Sequence, residues 1–532
     1  MPFYSIFSTA VEIVSFFWLV VLLKKLCFWV WLWQLKEYHF KRFLSHFETY
    51  KGKKLILNFF NFSKLISLFG LILAFPFFLP ILLSIYFFDF FSTALHILKK
   101  TFRYPVLTKK TVLILGTGFL LIVSVFLSLK SFPSEKFILF LLIFDLFSPI
   151  IFSILVFCFW PLSFFWQKQL IKKAIEKREK FKDLLVIGIT GSYGKTSTKE
   201  FLSQILSAKF NVLKTRAHQN SEVGISQCIL QDLKPEHQIF VCEMGAYNKG
   251  GIKLLCNIAK PKIGILTGIN EQHLFTFGSQ ENIIKTKFEL IESLPKEGLA
   301  ILNESDQNIK NEKLKIKNYN PKLRKIKYCS IEQARDLKVK KELLSFNFEG
   351  IDFNINLAGQ QNVINLLMAI CCAKELGMTL EEISRACQKI KPFPRTMEPK
   401  KGIGGVTIID DSYSANPQGV FAALDYLGIY EGKKIIIMPC LIELGRASKR
   451  IHKEIGQKIG KICDLAIITT KDKFQEIKEG AIKSGMKEKN ILFLEKPREI
   501  FEKIKLDLKP ENVILLESRV PKGLREQLTT KN

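Results

Sequence analysis

Leu184-Leu-Val-Ile-Gly-Ile-Thr-Gly-Ser-Tyr-Gly-Lys-Thr-Ser197 is the stretch that decides the fold. Its first half, Leu184–Ile189, is apolar and β-branched, as a strand buried on both faces must be. Its second half curls through two glycines, and Thr198–Leu206 then has helical patterning. Strand, glycine turn and helix in that order form the setting of a phosphate loop. Gly191 and Gly194 free the backbone to aim its N–H groups at phosphate oxygens beside a positive helix N-terminus. Lys195 has the reach for β- and γ-oxygens, and the Thr196 hydroxyl suits Mg²⁺. The spacing departs from G-x-x-x-x-G-K: position 189 is Ile, and the extra glycine stands at 191.

Outward from this loop, short β-rich runs alternate with helical stretches from Asp183 to the end, the pattern of a parallel sheet covered by helices. The strand candidates are Leu184–Ile189, Ile239–Glu243, Lys262–Leu266, Leu299–Leu302, Val406–Ile409, Lys434–Ile437, Leu465–Thr469 and Val513–Leu516. Lys391-Pro-Phe-Pro394 interrupts the alternation and marks a boundary between two α/β domains. The expected organisation is a helical membrane region over residues 1–170, an ATP-binding α/β domain over 171–392 and a Rossmann-like domain over 393–532.

Up to about Phe165 the chain is dominated by Phe, Leu, Ile and Trp. A bilayer core takes about 20 apolar residues as a helix, and the candidates are Ile6–Leu23, Leu65–Leu98, Thr111–Leu129 and Phe137–Trp160. Lys24 and Lys25 are expected to end the first, and Cys27–Trp33 reads as a separate interfacial helix with an aromatic belt. Leu65–Leu98 is too long for one upright helix and carries Pro76 and Pro80, so a hairpin of two helices is expected. The loops Lys36–Lys54, Lys99–Lys110 and Lys168–Lys182 are basic, which places all three on the cytoplasmic side of a bacterial cytoplasmic membrane, with the two α/β domains there too. The net charge of +29 is read as affinity for membrane lipids, since no nucleic-acid motif accompanies it. The eleven cysteines form no CxxC pair and read as small buried hydrophobes in a reducing compartment.

Further segments follow the loop in a fixed order: Asn220-Ser-Glu-Val-Gly224, Val241-Cys-Glu-Met-Gly245, Leu266-Thr-Gly-Ile-Asn-Glu-Gln-His273 with Phe277-Gly-Ser279, and Thr286-Lys-Phe-Glu289. Leu302-Asn-Glu-Ser-Asp306, Gly359-Gln-Gln-Asn-Val-Ile-Asn365, Asp410-Asp-Ser-Tyr-Ser-Ala-Asn-Pro417, and Ile442-Glu-Leu-Gly445 with His452 complete the set. Together, from about Leu184 to Leu528, they resemble the Mur ligases, and within that family the branch that adds D-alanyl-D-alanine.

The resemblance implies an ATP-dependent, ADP-forming ligase that joins a carboxylate to an amine through an acyl phosphate, adding D-Ala-D-Ala or a similar amine to a muramyl peptide in peptidoglycan synthesis. It implies Lys195, His273 and Lys287 as catalytic residues, the last carbamylated, and Thr196, Glu243, His273 and Lys287 around two Mg²⁺ ions. Carbamylation needs a neutral amine, hence a site that depresses the lysine pKa. Gly191, Ser192, Tyr193, Gly194, Lys195, Thr196 and Ser197 would cradle the phosphates. Asn303, Asp306, Asn362 and Asn365 would contact adenine or ribose, with Arg395, Asp411 and Tyr413 closing from the last domain.

Several positions depart from the family pattern: Gly268, Gln361, Ser414, Thr396 between Arg395 and Met397, and Pro439-Cys440. None is a phosphate or metal residue, so the departures bear on the amine substrate. The family's usual first domain is replaced here by the apolar region, which leaves two acceptors open, UDP-linked or lipid-linked; the lipid-linked one is favoured, because an anchor alone needs one helix and this chain has several. Rival readings are a folylpolyglutamate- or cyanophycin-type ligase, an inactive nucleotide-binding scaffold, and an ATP-driven transporter. The transporter lacks its signature segment and paired acids after the loop.

Overall fold

A computed structural model describes residues 2–413 and 415–529, so Ser414 lies outside the described residues. The chain divides into two compact units, Met1–Lys168 and Gln169–Asn532.

The first unit is helical. Four stretches, Ser8–Leu35, Tyr50–Leu98, Lys109–Leu129 and Ser134–Glu179, are long and apolar enough to cross a membrane by length and composition. The expected hairpin is present: backbone torsions leave the helical range at Ala74 (φ −152°, ψ 69°), and Lys64 lies 2.7 Å from Asp89. In an unbroken helix those residues would stand roughly 37 Å apart, at 1.5 Å of rise per residue.

The expected break after Leu23 is corrected. Pro2–Leu35 is one helix, and Cys27–Trp33 is its last part, not a separate interfacial element. The reason is electrostatic. Lys24 meets Asp89 at 3.1 Å and Lys25 meets Asp145 at 2.6 Å, so carboxylates from facing helices compensate the cations expected to stop it. Trp29 and Trp33 are likewise buried among Phe43, Phe47 and Phe157.

The second unit holds two six-stranded sheets. The first contains β1 (Leu185–Thr190), β2 (Val212–Lys214), β3 (Ile239–Glu243), β4 (Ile263–Leu266), β5 (Leu299–Asn303) and β6 (Lys325–Cys329). Its order is β2-β3-β1-β4-β5-β6, and every pair is parallel. The chain leaves β1 toward one edge and later returns to β4 on the other side, so a crevice opens at the carboxyl ends of β1, β3 and β4. Ile187, Ile189, Val241, Ile265 and Ile301 on one face pack against Leu202, Ile205, Val363 and Leu367 of the covering helices. Each such fully buried aliphatic side chain contributes about 1.5–3 kcal/mol.

A small antiparallel sheet follows, β7 (Arg335–Val339), β8 (Leu344–Phe348) and β9 (Ile351–Ile355). The last domain is built on β10 (Glu398–Lys401), β11 (Thr407–Asp411), β12 (Lys434–Met438), β13 (Leu465–Ile468), β14 (Ile491–Phe493) and β15 (Val513–Glu517). They run in the order β10-β11-β15-β12-β13-β14, with only the edge strand β10 antiparallel.

Candidate active site

The loop between β1 and the helix Lys195–Leu206 has the curl its glycines suggest. Gly191 has φ +155° and Gly194 φ +77°. A Cβ at Gly191 would come 2.2 Å from Thr267 Oγ1, and one at Gly194 2.6 Å from Asn365 Oδ1. Both positions therefore need glycine for space, and Gly194 also for its backbone. The loop is braced from outside: Ser192 N donates to Gly268 O at 2.6 Å, and Tyr193 OH donates to Asp306 Oδ2 at 2.6 Å. Lys195 Nζ arches back over the loop and donates to Gly191 O and Ser192 O at 2.7 and 3.0 Å.

Glu243 ends β3 directly beside this helix N-terminus. Its Oε2 accepts from Thr196 Oγ1 at 3.0 Å and lies 3.2 Å from Lys199 Nζ, and its Oε1 accepts from Asn220 Nδ2 at 3.0 Å. Burial opposes its ionisation, but the charges of Lys199 and Lys195 outweigh burial and hold the carboxyl below its ordinary range. The result is an anion beside a hydroxyl at the mouth of a phosphate cradle. Among the described residues no three His, Cys, Asp or Glu side chains form a metal cage. That suits Mg²⁺, which usually takes one or two protein oxygens and completes its shell with water and substrate phosphates. The donor set Thr196 and Glu243 fits.

Lys287 lies on the helix Gln280–Glu292 and is 4% exposed. Burial, helped by the charge of Lys195, pushes its ammonium down to about 7. A large neutral fraction at neutral pH is what addition of CO₂ to the amine requires. His273 feels Lys287 and Lys195, and burial foremost, with those charges, keeps the imidazole neutral against the pull of Glu443. The ring packs edge-on to Tyr247 at 4.9 Å and its Nδ1 lies 2.6 Å from Glu443 Oε2.

The remaining expected contacts divide. Asn365 touches the loop, through Thr198 Oγ1 at 3.2 Å and the close approach to Gly194. Asp306 is engaged in bracing Tyr193, accepting from Ile269 N and capping the helix Gln307–Glu312. Asn303 donates to Thr267 O at 2.6 Å and Asn362 to Ala358 O at 2.8 Å, so both fix loops around the crevice. Tyr413 stacks on His218 at 5.3 Å and lies beneath the Arg395 guanidinium at 5.8 Å. Asp411 accepts from Met397 N at 3.0 Å, and burial, with the charge of Asp410, pushes its carboxyl up. Ser197 sits in the first turn of the loop helix.

Two residues around the site were not legible as such: Lys199, 3.2 Å from Glu243, and His218, which stacks on Tyr413. Lys199 is one of 78 lysines and arginines, and its only signal is that it lies one turn after Lys195 and Thr196, on the same helix face. His218 carries no motif of its own.

Residues 189–373 match the Mur ligase middle domain and residues 396–519 the Mur ligase, glutamate ligase domain. The UDP-N-acetylmuramoyl-tripeptide--D-alanyl-D-alanine ligase of Bacillus subtilis is 30% identical over 339 residues, 63% of this chain and 72% of that protein. The chain belongs to the Mur ligase family. The Escherichia coli ligase of the same name is 28% identical, over 51% of this chain and 61% of its own length, so the Mur ligase relatives are spanned in part. The crystal structure of MurF ligase from Thermotoga maritima in complex with ADP superposes with a TM-score of 0.59 at 27% identity, covering 68% of this chain and 83% of that one. Residues 1–168 lie outside both Mur ligase domain matches.

One expectation is overturned here. A multi-pass protein of the bacterial cytoplasmic membrane was expected, yet the homologous MurF ligases are soluble cytoplasmic enzymes. The four apolar helices satisfy length and composition alone.

Proposed function

We propose that this Mur ligase adds D-alanyl-D-alanine to the tripeptide of a UDP-N-acetylmuramoyl acceptor, with ATP converted to ADP and phosphate. The observation that carries the reading is the convergence of a phosphate loop, the Thr196–Glu243 pair and the buried amine of Lys287 at the carboxyl ends of the central strands. Of the two acceptor types that the sequence leaves open, the UDP-linked one is named for the relatives.

Amide formation from a carboxylate is uphill in water, so the acid must first be activated. The acceptor's carboxylate oxygen attacks the γ-phosphorus and ADP leaves. The amine of the dipeptide then attacks the acyl carbon and expels phosphate, losing one proton. Lys195 is placed to swing from its loop carbonyls onto the transferring phosphoryl group, where positive charge matters most. Thr196 and Glu243 would hold Mg²⁺, which when bound neutralises charge on the phosphates. His273 and a carbamylated Lys287 would supply the second metal position. Arg395 and Tyr413 would cover the crevice from the last domain, and covering it excludes the water that would hydrolyse an acyl phosphate.

The test is direct. Purified protein given Mg·ATP, UDP-N-acetylmuramoyl-tripeptide and D-Ala-D-Ala should release ADP and form a product heavier by the dipeptide less one water. Lys195→Ala should lower that rate by roughly 100-fold or more, the usual cost of losing a group that stabilises transition-state charge. Failure of the wild-type chain to make the product would end the assignment.

A further inference from the structure

Glu443 lies in the Ile442-Glu-Leu-Gly445 segment, which the proposed chemistry leaves without a role. It belongs to the last domain, in the loop after β12, and its side chain is 6% exposed. It grips the first α/β domain twice. Its carboxylate Oε2 sits 2.6 Å from His273 Nδ1, and its main-chain oxygen accepts from Phe275 N at 3.2 Å. Both Glu443 and His273 have φ +65°, a left-handed backbone that L side chains seldom adopt and that persists only where surroundings enforce it. Gly445 follows at φ +50°, a conformation that favours glycine, and a Cβ there would come 3.3 Å from Phe275 N, a tight fit against the first domain.

The same short segment has other partners across the same boundary. Glu271 pairs with Arg450 at 2.7 Å, and Gln272 Nε2 donates to Ala415 O at 3.4 Å. Residues 271–275 therefore rest on the last domain, whereas Lys195, Glu243 and Lys287 are held within the first. Phosphate binding is assembled by one domain; the orientation of His273 is assembled by two.

We infer that Glu443 is a positioning residue that makes correct presentation of His273 conditional on docking of the last domain. A carboxylate accepting from Nδ1–H fixes the imidazole tautomer and turns Nε2, with its lone pair, toward the crevice. While the domains are apart, Glu443 is absent and His273 keeps only its edge contact with Tyr247, which leaves its tautomer unenforced. The site would then bind Mg·ATP without being competent to use it, which protects ATP from hydrolysis before the other substrates are enclosed. The inference rests on the proposed reading insofar as His273 faces the nucleotide.

The experiment uses the full chain as wild type, Glu443→Ala, Glu443→Gln and Arg450→Gln, with ATP, UDP-N-acetylmuramoyl-tripeptide and D-Ala-D-Ala. Glu443→Ala should lower kcat by roughly 10–100-fold, the usual cost of losing the partner that orients a ligating histidine. KM for ATP should stay within about twofold, because ground-state nucleotide binding is untouched. Glu443→Gln keeps an acceptor at the same reach and should recover most of the rate. Arg450→Gln removes an exposed ion pair of the same boundary, which adds little to docking and does not touch His273, and should leave kcat within about twofold. A second readout needs no turnover: with Mg²⁺ and a non-hydrolysable ATP analogue bound, hydrogen–deuterium exchange at His273 Cε1–H, followed by mass spectrometry, should be faster in Glu443→Ala than in wild type or Arg450→Gln. Wild-type kcat in Glu443→Ala, unchanged exchange at His273, or equal losses with raised KM in Glu443→Ala and Arg450→Gln would each overturn the inference. A wild-type chain that makes no amide counts against the ligase reading alone, since the exchange comparison still decides the contact.

Discussion

Lys287 shows how much a single residue's surroundings decide. Nothing in its side chain separates it from the other lysines; what does is a helix face turned inward and a second cation, Lys195, nearby. A lysine held down to about 7 when folded but protonated to about pH 10 when unfolded has a defined linkage. Between those pH values the unfolded chain binds the extra proton, so stability rises with pH across that window, and the cost is complete below about pH 7. Lys287→Met removes the cost. It should raise the melting temperature at pH 6, equivalent to roughly 1–4 kcal/mol, with the gain shrinking by pH 9. The same variant should lose ligase activity, because thioether replaces the amine that would take up CO₂. Thermal unfolding at the two pH values checks the first half; melting curves of wild type and variant offset equally at pH 6 and pH 9 would show that Lys287 is not the strained amine described.

At the scale of elements, the helical hairpin Phe59–Leu98 is held by charge. Lys64 reaches Asp89 and Asp145 at 2.7 and 2.9 Å, Lys25 reaches Asp145 at 2.6 Å, and Tyr86 OH donates to Asp145 at 2.8 Å. Asp145 and Lys64 are fully buried. Removing one partner of a buried ion pair leaves the other uncompensated at a cost of about 3–5 kcal/mol, so Asp145→Asn should destabilise the helical unit by that order. Chemical denaturation followed by the fluorescence of its tryptophans would measure it; a change under about 0.5 kcal/mol, the size of a surface substitution, would refute the network's importance. This network also explains what the sequence concealed. Pro76 and Pro80 announced the turn because proline acts on its own backbone, but Lys24 and Lys25 looked like a helix end because their compensating carboxylates lie 65 and 120 residues away. The same division runs through the ligase part. The central parallel strands were legible from unbroken apolar runs, whereas β2, β7 and β14 are short or half-exposed edge elements whose pairing depends on neighbours. The glycine loop was legible because only glycine fits its torsions. That Asp306 and Asn303 brace the loop was not, because an Asn or Asp side chain announces a hydrogen bond without naming its partner.

For the whole molecule, the decisive property is that cohesion is local to each unit. The apolar core of the helical unit draws on residues between Ala10 and Phe159. The cores around the two ligase sheets begin at Ile171, which packs with Ile175, Leu184, Val186 and Phe240. Arg178 reinforces that beginning, donating to Ala259 O, Phe181 O and Leu184 O. A domain folds alone when its own core is complete, and 364 residues, from Gln169 to Asn532, are ample for that. The chain from Gln169 onward, expressed without the helical unit, should therefore unfold cooperatively and bind Mg·ATP with a Kd within about threefold of the full chain, less than 1 kcal/mol of difference. All of Lys195, Thr196, Glu243, Lys287, His273 and Glu443 remain in it, so Lys195→Ala should weaken nucleotide binding to the same extent in the shortened and the full chain. Calorimetric titration of both chains with Mg·ATP compares them directly. A shortened chain that folds but binds ATP more than tenfold more weakly would mean that the helical unit contributes to the nucleotide site, and the division of labour argued here would fail.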